Sequence, residues 1–144
     1  MTRLAKFSAL PSRERLMVLQ ALATLWRVWF ALHFSSFDRV RTLADRFKIA
    51  VPKPGRPTPA RLAWAVTAAR PLVPNGSNCL LRALAAGMLL RRYGYDSSLK
   101  IGVAKAPGGG LAAHAWLESG GQAVIGGFQL DRYAVLDTQR HAAA

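Results

Sequence analysis

The stretch NGSNCLLRAL, residues 75–84, places the chain's only cysteine, Cys79, where a polar loop changes into an apolar helical pattern. A cysteine at a helix start faces backbone N–H groups without helical partners and lies at the positive end of the helix dipole. Both features favour thiolate over thiol. A lone histidine, His114, follows in a strand-like segment. The pair is typical of a thiol nucleophile and the histidine that takes its proton.

A second interpretation of Cys79 is a small buried hydrophobe, because cysteine is among the most often buried residue types. One cysteine excludes an intramolecular disulfide framework. The three histidines, His33, His114 and His141, show no metal-ligand spacing. We therefore expect a reducing, cytoplasmic setting, with no metal and no cofactor.

The chain is strongly basic, with 20 Lys and Arg against 7 Asp and Glu and a formal net charge of +13. Such a field attracts polyanions. The basic residues are spread along the whole chain, however, and no helix-turn-helix, zinc-finger or RNP-like pattern organises them. The glycines 108–110 lack the Lys-Ser/Thr that completes a phosphate-binding loop. No specific nucleic acid is expected; an acidic peptide, an acidic protein or an anionic lipid would serve as partner.

Apolar periodicity and helix-stop signals predict four helices before the strands begin. A proline-rich linker at 51–59 separates the second helix from the third. The predicted helices run from Pro11 to about His33, from about Phe37 to Lys48, from about Ala60 to Ala69, and from Leu80 to Tyr93.

The first helix is apolar enough to raise the question of a membrane. Gln20, Arg27 and His33 interrupt its apolar run, so we expect no transmembrane segment. Burial against its own domain is the favoured interpretation. Docking on a membrane surface or a partner is the alternative, because Trp26 and Trp29 lie near Arg27.

Alternating residues predict three strands, Ser97–Ala104, Ala112–Glu118 and Gln122–Ile125. A helix that starts with the cysteine, followed by strands that carry the histidine, is the plan of papain-like and transglutaminase-like enzymes. The predicted fold class is therefore α+β, with an N-terminal helical region at 1–70 and a cysteine protease core at 71–144, packed as one compact unit.

Four segments together resemble a known family: NCLLRA at 78–83, LLRRYG at 89–94, IGV at 101–103 and AHAWLE at 113–118. They are similar to the C-terminal domain of lasso-peptide biosynthesis B proteins. That domain is a transglutaminase-like cysteine protease related to the microcin J25 processing protein. The resemblance covers roughly residues 71–136.

The resemblance implies a leader peptidase that cleaves a ribosomally made precursor between leader and core, before a separate ATP-dependent cyclase closes the lasso ring. The chain resembles the split B2 form, which implies a separate leader-recognition protein as a partner beside the precursor peptide and the lasso cyclase. Carried onto this sequence, the resemblance assigns Cys79 as nucleophile and His114 as general base.

The third catalytic member departs from the family pattern, because Gly126 and Gly127 stand where the family often places an aspartate. Asp131 is the candidate to orient the imidazole and Asp137 is a weaker one. A water or a backbone carbonyl are alternatives. Glu118 shares the histidine's strand face but lies too far along the strand to contact the ring.

The oxyanion donors are expected at the start of the cysteine helix, where the backbone N–H of Cys79 is joined by the side chain of Asn78 or Ser77. A plain helix cap is the alternative for Asn78. Trp116 fits either a peptide groove or the core. The alternative function is a catalytically inactive scaffold that binds the precursor or the cyclase. Acyl transfer to an amine would use the same residues.

Overall fold

The computed structural model describes residues 3–36, 38–40, 42, 51–74, 78–127 and 133–136. Its elements are α1 (Arg3–Ser8), α2 (Ser12–Phe34), α3 (Pro59–Ala69), a short 3-10 helix η1 (Arg70–Leu72), α4 (Cys79–Arg92), β1 (Ser98–Lys105), β2 (Leu111–Ser119), β3 (Gln122–Ile125) and β4 (Ala134–Leu136).

The predicted long helices and the three predicted strands lie within a few residues of these bounds. Of the predicted helix between Phe37 and Lys48, residues 38–40 and 42 are helical and the others lie outside the described residues. Segment 51–58 is free of helix and turns at Pro54 and Gly55, as its prolines predict. The α+β fold class is confirmed.

Side-chain caps set where α3 and α4 begin. The hydroxyl oxygen of Thr58 accepts from the backbone N–H of Arg61 at 3.2 Å, and a proline occupies the first turn of α3. Just beyond the C-terminal end of α4, Gly94 adopts φ +85°, the left-handed conformation that ends many helices. The chain can therefore leave α4 and enter β1 without backbone strain.

The four strands form an antiparallel sheet in the order β3-β2-β1-β4. Strand β1 pairs with β2 along its whole length, and Gly102 lies opposite His114. Strand β3 pairs with β2 only from Ser119↔Gln122 to Leu117↔Ile125. Beyond Leu117, toward its N-terminal end, β2 has an edge that β3 does not cover.

The hydrophobic core lies between the helices and one face of the sheet. It is one cluster, to which α2, α3, α4, β2 and β3 all contribute. The largest fully buried side chains are Leu25, Val28, Leu62, Val66, Leu89 and Leu90. The core therefore joins elements on both sides of residue 70, and it fixes the start of α4 against β2.

Helix α2 is long and apolar enough to cross a membrane, by length and by a mean hydropathy of 1.3. A core helix of a folded domain passes the same test. Met17, Ala21 and Leu25 are buried in the cluster shared with α3 and α4. Burial within the domain therefore accounts for this side of α2, as the sequence predicts.

Replacing Leu25 by alanine tests this packing. Leu25 is fully buried in the core, so the cavity left behind should lower the free energy of unfolding by about 2–5 kcal/mol, measured by urea denaturation. Leu16→Ala on the same helix is the control: Leu16 is 55% exposed, and its loss should change stability by less than about 0.5 kcal/mol. Equal losses from the two variants would contradict the packing.

Candidate active site

Cys79 is the first residue of α4, and Asn78 is its N-cap. The side-chain oxygen of Asn78 accepts from the backbone N–H of Leu80 at 2.9 Å and of Leu81 at 3.2 Å. Asn78 is thus a helix cap, the plainer of its two predicted roles. Its role as an oxyanion donor stays a prediction, and Ser77 lies outside the described residues.

The cysteine sulfur lies against the backbone of β2, one residue after His114. Cys79 Sγ accepts from the backbone N–H of Ala115 at 3.4 Å. Ala115 lies beyond the last β2–β3 pair, so β3 does not use its amide. The thiol is half-buried. The structure therefore brings the Cys79 sulfur to the backbone of the residue that directly follows His114 in the chain, and the roles of nucleophile and base stay predictions.

The imidazole of His114 is held by a backbone carbonyl. Its Nε2 lies 2.7 Å from the oxygen of Gly126. A carbonyl oxygen only accepts hydrogen bonds, so Nε2 carries the proton of this bond. In the neutral ring Nδ1 is then unprotonated and can accept a proton from a thiol. Of the alternatives for orienting the ring, the backbone carbonyl is the one found among the described residues, which do not include Asp131 or Asp137.

Gly126 has to be glycine for this carbonyl to reach the histidine. Its φ is +73°, and a Cβ on it would lie 2.9 Å from the oxygen of Ala115 and 3.1 Å from Cβ of Trp116. Both the conformation and the close approach exclude a larger residue. Gly126 therefore supplies a main-chain acceptor to the imidazole.

Aromatic side chains surround the imidazole. The ring centroid of His114 lies 5.2 Å from that of Tyr133 and 6.0 Å from that of Trp116. Trp116 is only 3% exposed, so the core alternative describes it better than an open groove. A Cβ on Gly102 would lie 2.7 Å from Cβ of Tyr133 and 3.0 Å from the Trp116 ring. Gly102 therefore leaves the space that this cluster fills.

The two acidic candidates for the third catalytic member, Asp131 and Asp137, lie outside the described residues. Glu118 pairs with Ser98 and lies with Lys100 in a polar depression near the far end of β2, away from the imidazole as expected. Among the described residues, no group of three His, Cys, Asp or Glu side chains is placed to hold a metal ion.

Sequence reasoning missed Arg82, which follows Cys79 by one turn of α4. Its Nη2 donates to the hydroxyl of Thr67 at 3.3 Å, and its buried Nε has no hydrogen-bond partner among the described residues. Burial lowers the pKa of Arg82 below its ordinary value; the charge of Arg70 acts in the same direction and the interaction with Cys79 opposes both. The i, i+3 spacing was the available signal.

The fold is α+β and of papain-like architecture, with a cysteine at the start of a helix that packs on the strand carrying a histidine. The profile of the Transglutaminase-like superfamily matches residues 21–138, well over half of the chain. The protein therefore belongs to the transglutaminase-like superfamily, which includes cysteine peptidases. The match begins inside α2 and so includes helices that precede residue 70. No curated protein and no solved structure matches the chain.

Gly126→Ala tests the role of the carbonyl. The added methyl group clashes with the oxygen of Ala115 and disfavours the left-handed backbone, so the Gly126 carbonyl should leave Nε2. Iodoacetamide should then alkylate Cys79 about tenfold more slowly near neutral pH, as expected when a proton acceptor is displaced. The rate is followed by mass spectrometry.

Gly109→Ala is the matched control, because Gly109 also has positive φ, at +101°, but a Cβ there meets nothing within 4 Å. This variant has the free-energy cost of an alanine at positive φ but no steric clash, so its Cys79 should be alkylated at the rate of the unsubstituted protein. An unchanged rate in folded Gly126→Ala protein would show that the carbonyl does not orient the histidine.

Proposed function

We propose that this protein is a cysteine peptidase that cleaves a ribosomally made lasso-peptide precursor between leader and core. One observation carries the proposal: His114 Nε2 is hydrogen-bonded to the Gly126 carbonyl, while the Cys79 sulfur accepts from the amide of Ala115, the next residue of the same strand. Membership of the superfamily supports a cysteine peptidase. The lasso-peptide substrate is supported by the resemblance in the NCLLRA and AHAWLE segments.

In the proposed reaction His114 Nδ1 takes the thiol proton as Cys79 Sγ attacks the carbonyl carbon at the end of the leader. The electron pair of the carbonyl moves to its oxygen. The backbone N–H of Cys79 faces that oxyanion at the helix start, with Asn78 proposed as the second donor. The imidazolium gives its proton to the core's nitrogen, and the C–N bond breaks.

The core then leaves with a free α-amine, and the leader stays on Cys79 as a thioester. Water attacks the thioester while His114 takes its proton. The C–S bond breaks, the leader departs as a carboxylic acid, and the imidazolium returns its proton to Cys79 Sγ. The free amine is the group that a separate lasso cyclase would need. The proposed partners are therefore the precursor, that cyclase and a separate leader-recognition protein, with the net charge of +13 favouring acidic character in the leader or its carrier.

The inactive-scaffold alternative depended on the missing aspartate. The Gly126 carbonyl occupies the position at Nε2 that such a carboxylate would take, which favours catalysis over a scaffold. Acyl transfer to an amine uses the same thioester. An added amine that captures the leader in competition with water would reveal it.

The proposed activity is tested by mass spectrometry of a candidate lasso precursor incubated with this protein and a leader-recognition protein. We expect one cut between leader and core, lost in Cys79→Ala and in His114→Ala. His33→Ala is the matched control, because His33 is an exposed histidine on α2, and it should cut normally. Asp131→Ala should also cut, because Nε2 already has an acceptor.

Two outcomes would count against this account. If the unsubstituted protein binds the precursor but leaves it intact, the result would favour the scaffold. A cut lost in Asp131→Ala would show that the carboxylate, and not the carbonyl, orients His114.

A further inference from the structure

An apolar groove lies on the face of the molecule built by α1, α2, α3 and η1. Its volume is about 610 Å³, and its lining includes Phe7, Leu10, Leu19, Leu22, Trp64 and Leu72. Leu19 and Leu72 are 51% and 55% exposed at its mouth. A recessed apolar surface that leaves large side chains in water marks a binding site more often than a structural one.

Basic side chains border the groove. Lys6 lines it and is exposed. Arg15, also exposed, precedes Leu19 by one helical turn and Leu22 by two, so the three share one face of α2. The single acidic residue of α1 and α2, Glu14, is ion-paired with Arg61. The groove therefore combines an apolar floor with one basic residue in its lining and a second, Arg15, on the adjoining face of α2, which complements an apolar ligand that carries negative charge.

The shape favours a peptide over a membrane. A bilayer surface is met by side chains that protrude, whereas this groove is recessed between helices and needs side chains that enter it. An amphipathic helix provides such anchors at helical spacing. The protruding Phe34 lies about 22 Å along α2 from Leu19, by helix rise, and is not part of the groove.

The groove is close in the chain to the catalytic cysteine. Pro71 and Leu72 line it, and the chain runs from Leu72 to Cys79 in a connection that spans at most about 25 Å. The residues that line this end of the groove therefore precede the start of α4 by only a short stretch of chain.

From these observations we infer that the groove binds an acidic amphipathic helix of a second polypeptide. The inference deepens the proposed function, because it locates where the protein that delivers the precursor would dock. It rests on the proposed function for the identity of that protein, but the binding itself requires no catalysis.

The test measures binding of a fluorescent synthetic helix, with leucines on one face and glutamates on the other, to Cys79→Ala protein. Because this variant cannot cleave by the proposed route, loss of binding and loss of activity are separate results. We expect binding that weakens with added salt, and no binding of a peptide in which lysines replace the glutamates.

Two pairs of variants locate the site. Leu19→Ser should weaken binding about fivefold, whereas Leu16→Ser, equally exposed on the same helix but outside the groove lining, should not. Lys6→Glu should weaken binding about tenfold, whereas Lys105→Glu, at an exposed position at the end of β1, should have a much smaller effect.

Three results would overturn the inference. The first is no binding of the acidic helix at millimolar concentration. The second is equal weakening by Leu16→Ser and Leu19→Ser. The third is a preference of the protein for phosphatidylglycerol vesicles over the peptide, lost in Phe34→Ser but not in Leu19→Ser, which would assign α2 to a membrane surface.

Discussion

The hydrogen bond between His114 Nε2 and the Gly126 carbonyl depends on where β3 leaves β2. Pairing stops at Leu117↔Ile125, and the next residue, Gly126, turns the chain back with positive φ. The same departure leaves the backbone N–H of Ala115 unpaired by β3, and this N–H donates a hydrogen bond to the cysteine sulfur. One break in the sheet therefore creates both contacts of the site. Because main-chain atoms make them, the arrangement is set by backbone geometry and tolerates few changes at Gly126.

The helices supply the stiffness that this arrangement needs. The sulfur reaches β2 only if the start of α4 is fixed, and Leu81 and Leu84 near that start are buried in the core cluster that also holds Leu25 of α2. The match to the superfamily begins within α2, in agreement with a site that depends on the helical layer. Placing Arg82 beside this helix start costs free energy, because its guanidinium is partly buried and the charge of Arg70 repels it, while the interaction with Cys79 opposes both effects.

The elements with a strong repeating pattern were predictable from the sequence. The apolar periodicity of α2 and α4 and the alternation in β2 identified them, and it placed Cys79 at the start of a helix and His114 within a strand, as the structure has them. A main-chain carbonyl is present at every residue, so the sequence could suggest that a backbone carbonyl orients His114 but could not identify Gly126 as its source. Tyr133 and the three-residue β4 depend on tertiary pairing with β1 and were missed. The groove was also missed, because it forms between separate helices.

The most direct test of the central claim is the protonation of the His114 ring, read from its long-range nitrogen–proton NMR correlations above the pH at which the ring becomes neutral. The account predicts a proton on Nε2, an unprotonated Nδ1 and a coupling across the hydrogen bond to the Gly126 carbonyl carbon. A neutral ring protonated on Nδ1, or an Nε2 proton bound to a side-chain carboxylate, would contradict it.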